Sequence, residues 1–335
     1  METITEQVEK FYKETGKKIE IKDGKPYRGG NLDLRGTAIT SLPNNLVVGG
    51  SLNLYNTAIT SLPDNLVVSG NLDLRGTAIT SLPDNLVVGG SLYLYSTAIT
   101  SLPDNLVVGG YLDLRETAIT SLPDNLVVGG SLYLCDTAIT SLPDNLVVSG
   151  NLYLQGTAIT SLPNTLVVGD WLYLQDTHII DISKVNHNVP TLYEWHNGKY
   201  IKVDGIFSIV DSHHGNVYKV HKVGSTKQMY VVGDGNGKWA HGNTIDEARK
   251  DLIYKISNRD KSAYENLKLD SVLTFEEAIE CYRVITGSCA AGTKDYVENR
   301  LPKPHKEKYS IREMIKLTKG EYQGKEFEEF FKNNK

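Results

Sequence analysis

The sequence predicts a curved solenoid of stacked parallel strands, closed at its N-terminus by a helix and followed by a small α+β domain. Three observations lead there. A unit of 20 residues, x-L-x-L-x-x-T-A-I-T-S-L-P-x-N-L-V-V-G-G, runs from Asn31 through seven full copies, with an eighth, degenerate one from Trp171. The residues before Asn31 carry a helical pattern instead, and from about Pro190 the period disappears. The expected domains are a cap over 1–30, the array over 31–190 and an α+β domain over 191–335, with antiparallel strands in 198–240 and helices in 244–333.

The cap is read from "ITEQVEKFYKETG", where Val8, Phe11 and Tyr12 stand at helical spacing and Gly16 stops the helix, with a short strand expected at Ile19 to Ile21. Within each unit, positions 1 to 5 alternate with the strand period, so Leu32 and Leu34 share one face and their neighbours the other. Positions 2, 4, 9, 12, 16 and 18 are Leu, Leu, Ile, Leu, Leu and Val in every full unit, a core built layer by layer. Each such side chain contributes about 1.5–3 kcal/mol of gross transfer free energy, largely offset by ordering the chain. Pro at position 13 predicts a turn on the return path, and Gly at position 20 a relaxed bend into the next strand. In the last unit Ile179, Ile180 and Ile182 replace turn residues, as expected of a terminal unit bound to another domain.

The pattern L-x-L-x-x-T-x-I-x-x-L-P resembles the leucine-rich repeat, in the 20-residue form of the bacterial LPX class, from residue 31 to about 182. The resemblance implies a parallel β-sheet on the concave side of the solenoid. The sequence departs from the family at position 7, where Thr37, Thr57, Thr77 and their equivalents replace the usual Asn.

The variable positions 1, 3 and 5 are expected on the solvent side of the sheet. They place Asp33 with Arg35, Asp73 with Arg75 and Asp113 with Arg115 in alternate units, separated by Tyr55, Tyr93 and Tyr95, and then Tyr111, Tyr133, Tyr153, Trp171 and Tyr173. Strands about 4.8 Å apart make the Asp and Arg pairs recur roughly every 10 Å. Tyr, Trp and Arg dominate interface hot spots, so these residues are the expected binding surface for a protein partner. The plainer reading is that the pairs neutralise one another and the tyrosines cover leucines. Asp64, Asp84, Asp104, Asp124 and Asp144 follow Pro and are read as turn residues.

Beyond Pro190, "KYIKVDGIFSIVDSHHGNVYKVHKVGSTKQMYVVGDGNGKWAHG" reads as three or four antiparallel strands broken at His214 to Asn216, Gly224 to Ser225 and Gly233 to Gly237. Capping boxes at Thr244 with Glu247, Thr274 with Glu277 and Ser310 with Glu313 announce three helices, and "KEFEEFFKN" a fourth. "WAHGNTIDEARKDLIYKI" and "YRVITGSCAAGT" are similar to a tail found in gut-bacterial and phage repeat proteins, a resemblance that brings no activity with it. "GSCAAGTK" ends in Thr-Lys and follows a helix, so it is not read as a phosphate loop; "DGNGK" is read as a hairpin turn, not a calcium loop.

Cys135, Cys281 and Cys289 form no disulfide framework and no paired C-x-x-C motif, and no metal or other cofactor is predicted. Cys289, with His241, His213 and His214 in the same domain, leaves a nucleophile pair as the alternative, since some LPX-repeat effectors carry cysteine-dependent ubiquitin ligase domains. A buried structural Cys is the plainer reading. The array carries 4 basic and 13 acidic residues, against 24 and 21 over residues 191–335, which argues against its gripping a nucleic-acid backbone. Without an apolar leader or a membrane-length apolar run, the expectation is a cytoplasmic, non-enzymatic binding protein of bacterial or phage origin, with export by a specialised route left open. In its narrowest form it is a phage-encoded inhibitor of a bacterial defence complex, acting in the host-cell cytoplasm.

Overall fold

The structure is a computed structural model that describes residues 2–124, 126–188, 190–195, 197–222 and 225–333. The chain divides into two compact units, the first built on Met1–Pro190 and the second on Thr191–Lys222 and Thr226–Lys335.

In the first unit, helix α1 (Ile4–Thr15) is closed by a capping box between Thr3 and Glu6 and ends on Gly16, whose φ of 67° is left-handed. Phe11 is 2% exposed and joins the array core, with Val8 packed beside it. Tyr12, expected to share that contact, is 47% exposed. The face that meets the array is centred on Phe11 and on Gln7, whose Oε1 accepts from the Asn44 N–H at 2.9 Å, and Tyr12 lies off it. The strand expected at Ile19 to Ile21 is Glu20–Lys22, and it pairs antiparallel with an unforeseen strand, Lys25–Arg28. Asp23 and Gly24 turn between them with φ of 50° and 70°, the conformation an Asp-Gly hairpin favours.

Each repeat contributes two short strands. Positions 2 and 3, from Leu32–Asp33 to Leu172–Tyr173, form an eight-stranded parallel sheet in exact unit register. Positions 17 and 18, from Val47–Val48 to Val167–Val168, form a second parallel sheet that the hairpin extends through Lys25–Arg28 to nine strands. The sequence reading put only a turn on this return path; consecutive valines stacked on identical neighbours pair as strands instead. Between the two sheets runs one hydrophobic core from Phe11 to Val168.

Of two repeated residues, the Gly at position 20 has a role other than the relaxed bend expected, and the Thr at position 7 bonds neighbouring backbone. The glycines at position 20 do not have positive φ; a Cβ on Gly90 would lie 2.7 Å from the Gly70 carbonyl carbon, and one on Gly110 2.7 Å from that of Gly90. They are there for the close approach of successive backbones, whose Gly110 N–H donates to the Gly90 carbonyl at 2.8 Å. The Thr at position 7 donates its hydroxyl to the Leu carbonyl three residues back, at 2.8 Å in Thr57, 2.6 Å in Thr77 and 2.7 Å in Thr97, so each unit satisfies its own turn.

The second unit is a six-stranded antiparallel meander in chain order: Leu192–Trp195, Tyr200–Val203, Ile206–His214, Val217–His221, Gln228–Gly233 and Trp239–Gly242. The three or four strands expected from residue 198 on become five because tight turns subdivide the run, as at Asp204-Gly205 with φ of 49° and 78°, and Leu192–Trp195 adds a sixth ahead of it. The break at Gly224 lies outside the described residues. The "DGNGK" loop is a hairpin turn in which Asp234 Oδ1 accepts from the Asn236 and Lys238 N–H groups.

Helices α2 (Ile245–Ile256), α3 (Ser262–Glu265), α4 (Phe275–Thr286), α5 (Ala290–Asn299), α6 (Ile311–Leu317) and α7 (Gly324–Asn333) follow, with a small ladder between Val272–Thr274 and Lys308–Ser310. The boxes at Thr274 and Ser310 are reciprocal; at Thr244 the Glu247 carboxylate turns to the Asn243 N–H instead. Helix α5 was not foreseen because its N-cap is Cys289, whose sulfur accepts from the Gly292 N–H at 3.2 Å. Gly287, left-handed at φ 73°, ends α4 three residues before α5, so "GSCAAGTK" is a three-residue helix-to-helix turn followed by the start of α5. Among the described residues no helix is long and apolar enough to cross a membrane.

Candidate functional site

On the L-x-L sheet, positions 3 and 5 of one strand point the same way, which brings Asp and Arg of a unit together. Arg35, Arg75 and Arg115 each donate Nε and Nη2 to the two oxygens of Asp33, Asp73 and Asp113, with the Nη2 bonds at 2.8, 2.6 and 2.7 Å. The Arg35 bond holds the Asp33 carboxyl below its ordinary range, and the aspartate bonds raise Arg75 and Arg115. Asp73 and Asp113 share the face of their partner arginines but are only 8% and 4% exposed, covered by those arginines. Asp33, in the first unit, is exposed.

The arginines are in turn held by rings. Arg75 lies over Tyr55 and Tyr93, at 5.6 and 5.4 Å from their centroids, and Arg115 over Tyr95 and Tyr133, both at 5.3 Å. Tyr133, Tyr153 and Tyr173 stack at 4.5 and 4.4 Å with rings within 8° and 3° of parallel, and Tyr111 meets Tyr133 edge-on. Stacking buries the Tyr153 phenol enough to push it up to about 12. Trp171 is 69% exposed, and Tyr55 and Tyr111 about two-fifths.

Position 1 is a different matter. Its Asn and Ser side chains accept from the backbone N–H one unit on, Asn31 from Ser51 at 2.8 Å, Ser51 from Asn71 at 3.0 Å and Asn151 from Trp171 at 3.0 Å, which is a structural ladder. At Cys135, the sulfur lies 3.1 Å from Gln155 Oε1. Asp64, Asp84, Asp104, Asp124 and Asp144 stand exposed in the turns after Pro.

In the second unit Cys289, Asp204 and His241 come together with a residue that the sequence did not single out, Lys255. Cys289 Sγ donates to Asp204 Oδ2 at 3.1 Å and lies 3.9 Å from His241 Nδ1, while Lys255 Nζ donates to both Asp204 oxygens at 2.7 and 2.6 Å. Cys289 is 0% and His241 1% exposed. Burial pushes the thiol up to about 12 and the imidazole down to about 4. Burial is the largest single influence on Lys255 and acts to lower it, but Asp204, Tyr322 and Cys289 together raise the ammonium. The cluster therefore rests as an ion pair with a neutral thiol and a neutral imidazole. His213 and His214 lie elsewhere, at the exposed end of Ile206–His214, with His213 stacked on Tyr218.

Unit-by-unit register, an L-x-L parallel sheet and a layered leucine core define the first unit as a leucine-rich-repeat solenoid, the kind of scaffold that serves as a protein-interaction module. No protein-family model and no curated protein matches the chain. Among solved structures it is similar to YopM from Yersinia enterocolitica, at 21% identity and a TM-score of 0.30, over 49% of this chain and 45% of that one. The chain thus spans just under half the length of that neighbour.

Proposed function

We propose that the protein is a non-enzymatic binding protein whose L-x-L sheet face, expected to be concave, engages a protein partner. One observation supports this reading above the others: the Tyr and Arg side chains of that face are held in place by each other, Arg75 and Arg115 between rings and Tyr133, Tyr153 and Tyr173 in a stack. Side chains ordered before binding lose little rotamer entropy on binding, and Tyr, Trp and Arg supply large contact area with polar tips. The resemblance of the tail to phage repeat proteins supports a narrower version, an inhibitor of a bacterial defence complex.

The test compares capture from host lysate by the intact protein and by a Tyr55→Ala, Tyr111→Ala, Trp171→Ala triple variant, whose side chains are exposed and cost little stability. Partners lost with the triple variant at unchanged melting temperature are the expected result; partners retained would remove the face from the reading. Capture of a defence-complex subunit would decide the narrower version.

A second reading, an effector enzyme with Cys289 as nucleophile and the array recruiting substrate, draws on the 3.9 Å separation of Cys289 and His241. The burial and the raised thiol oppose it. Labelling of native protein by a thiol-specific reagent decides it, since a working nucleophile must react without unfolding.

A further inference from the structure

The interaction reading leaves the buried cluster unused. Asp204 comes from the turn after Tyr200–Val203, His241 from Trp239–Gly242 and Cys289 from the N-cap of α5, so three separate elements deliver one donor atom each. Sγ to Oδ2 is 3.1 Å, Sγ to Nδ1 is 3.9 Å and Nδ1 to Oδ2 is 3.9 Å. Around a tetrahedral zinc ion, with sulfur at about 2.3 Å and nitrogen or oxygen at about 2.0–2.1 Å, donor atoms lie roughly 3.3–3.6 Å apart. The triangle therefore needs adjustments of about 0.3–0.6 Å in each separation. Thiolate, imidazole and carboxylate together suit a borderline-soft divalent ion and not a hard one such as magnesium. Among the described residues the buried His241 Nε2 has no hydrogen-bond partner, and the polar contacts of this imidazole are those of Nδ1 with the cluster.

We propose that Asp204, His241 and Cys289 form a binding site for a divalent zinc ion within the second unit. A cavity of about 20 Å³ on the Asp204 side of the cluster, lined also by Gly292 and Tyr322 but not by Cys289 or His241, has room for about one water. On loading, the Cys289 S–H bond breaks, its proton leaves to solvent and a sulfur–zinc bond forms; the charges of thiolate and carboxylate then match that of the ion. Ligation through Nδ1 leaves the imidazole proton on Nε2. Lys255 is the competing cation. It keeps Asp204 Oδ1 and the Trp239 carbonyl, which it meets at 2.5 Å, while Oδ2 turns to the metal, and the Tyr322 ring 4.2 Å from Nζ faces its charge.

The experiment titrates the full-length, chelator-stripped protein with Co²⁺ as a spectroscopic substitute for Zn²⁺. One equivalent should bind with a thiolate-to-cobalt band in the near ultraviolet, and Zn²⁺ should displace it. Cys289→Ser should lose the band, and Cys281→Ser should keep it, since Cys281 is buried but outside the cluster. Wild-type protein without the band at saturating Co²⁺, or a band that survives in Cys289→Ser, would overturn the site. Should Cys289→Ser not fold, the wild type alone decides: after dialysis in micromolar Zn²⁺, about one equivalent retained supports the site, and a small fraction of one overturns it.

Discussion

Arg75 and Arg115 stand two units apart on the array and have the same surroundings, an Asp of the same strand and a Tyr of each neighbouring unit. Asp204 and Cys289 in the second unit are 85 residues apart, and no other place among the described residues repeats what surrounds them. In the array, position in the unit decides what a side chain does, and diversity is confined to a few positions on a scaffold stabilised by nearest-neighbour contacts. In the second unit each buried polar group is paid for separately, by its own partner. The array can therefore change its surface without touching its core, and the second unit cannot.

The sharpest way to break this comparison is to damage the core of each. Leu114→Ala, at a fully buried array position, should cost about 2–5 kcal/mol and lower the array's unfolding transition. Equal loss in the second unit's transition, followed by the near-ultraviolet signal of Trp195 and Trp239, would mean that the two are one cooperative body.

Acid should act on the second unit. His241 stays neutral down to about 4 in the fold, against 6.5 when exposed, because burial penalises the imidazolium and the Lys255 charge adds to that, while the Asp204 carboxylate opposes the shift without cancelling it. The unfolded state therefore binds the extra proton first, and the stability present above pH 6.5 falls as the pH drops towards 4, by about 3 kcal/mol. Cys289, raised to about 12, gives the opposite limb, with stability falling above pH 9 as the unfolded thiol ionises. Denaturant titrations of metal-free protein at pH 7 and pH 4.5 check the acid limb, and His241→Phe should flatten it.

Glycine substitutions sharpen the contrast further. Gly90→Ala puts a Cβ 2.7 Å from backbone at ordinary φ, whereas Gly215→Ala meets nothing within 4 Å but must hold φ at 54°. The first should cost a few kcal/mol and the second about 1 kcal/mol. Gly215→Asn should recover most of the second loss, and Gly90→Asn none of the first; thermal melts of the four variants decide it.

How much of this was legible follows the same division. Leu32, Leu34 and their copies declared the L-x-L sheet because a repeated alternation has one reading, and the Asp and Arg pairs could be placed on one strand face from spacing alone. The valine sheet was hidden because two residues are too short a run to show a period. The role of Asn31 and Ser51 was hidden because a side chain bonding the next unit's backbone leaves the same pattern as a solvent-facing one. In the second unit, Asp204 and Lys255 gave no signal, since an Asp before Gly reads as a turn and a Lys in a helix as a solvated face. Only the fold, closing Lys255 over Asp204 under Tyr322, reveals the pair.

The smallest effect is the most telling for function. Arg75→Lys keeps the charge but loses the paired bonds to Asp73 and the flat contact with Tyr55 and Tyr93. The Arg75 side chain is 42% exposed but that of Asp73 only 11%, and with the charge kept beside the carboxylate the loss should stay at about 1 kcal/mol, so the melting temperature should move little. Arg283→Lys offers the matching change in the second unit, where the guanidinium reaches the Ser288 carbonyl at 3.1 Å and lies 5.0 Å from the Tyr254 ring. That loss should be larger, because Lys cannot span both contacts and leaves a half-buried carbonyl unpaired. If Arg75→Lys destabilises as much as Arg283→Lys, the arginine and tyrosine rows are there to hold the array together. If it leaves stability intact and weakens capture of a partner, their order serves the surface they present.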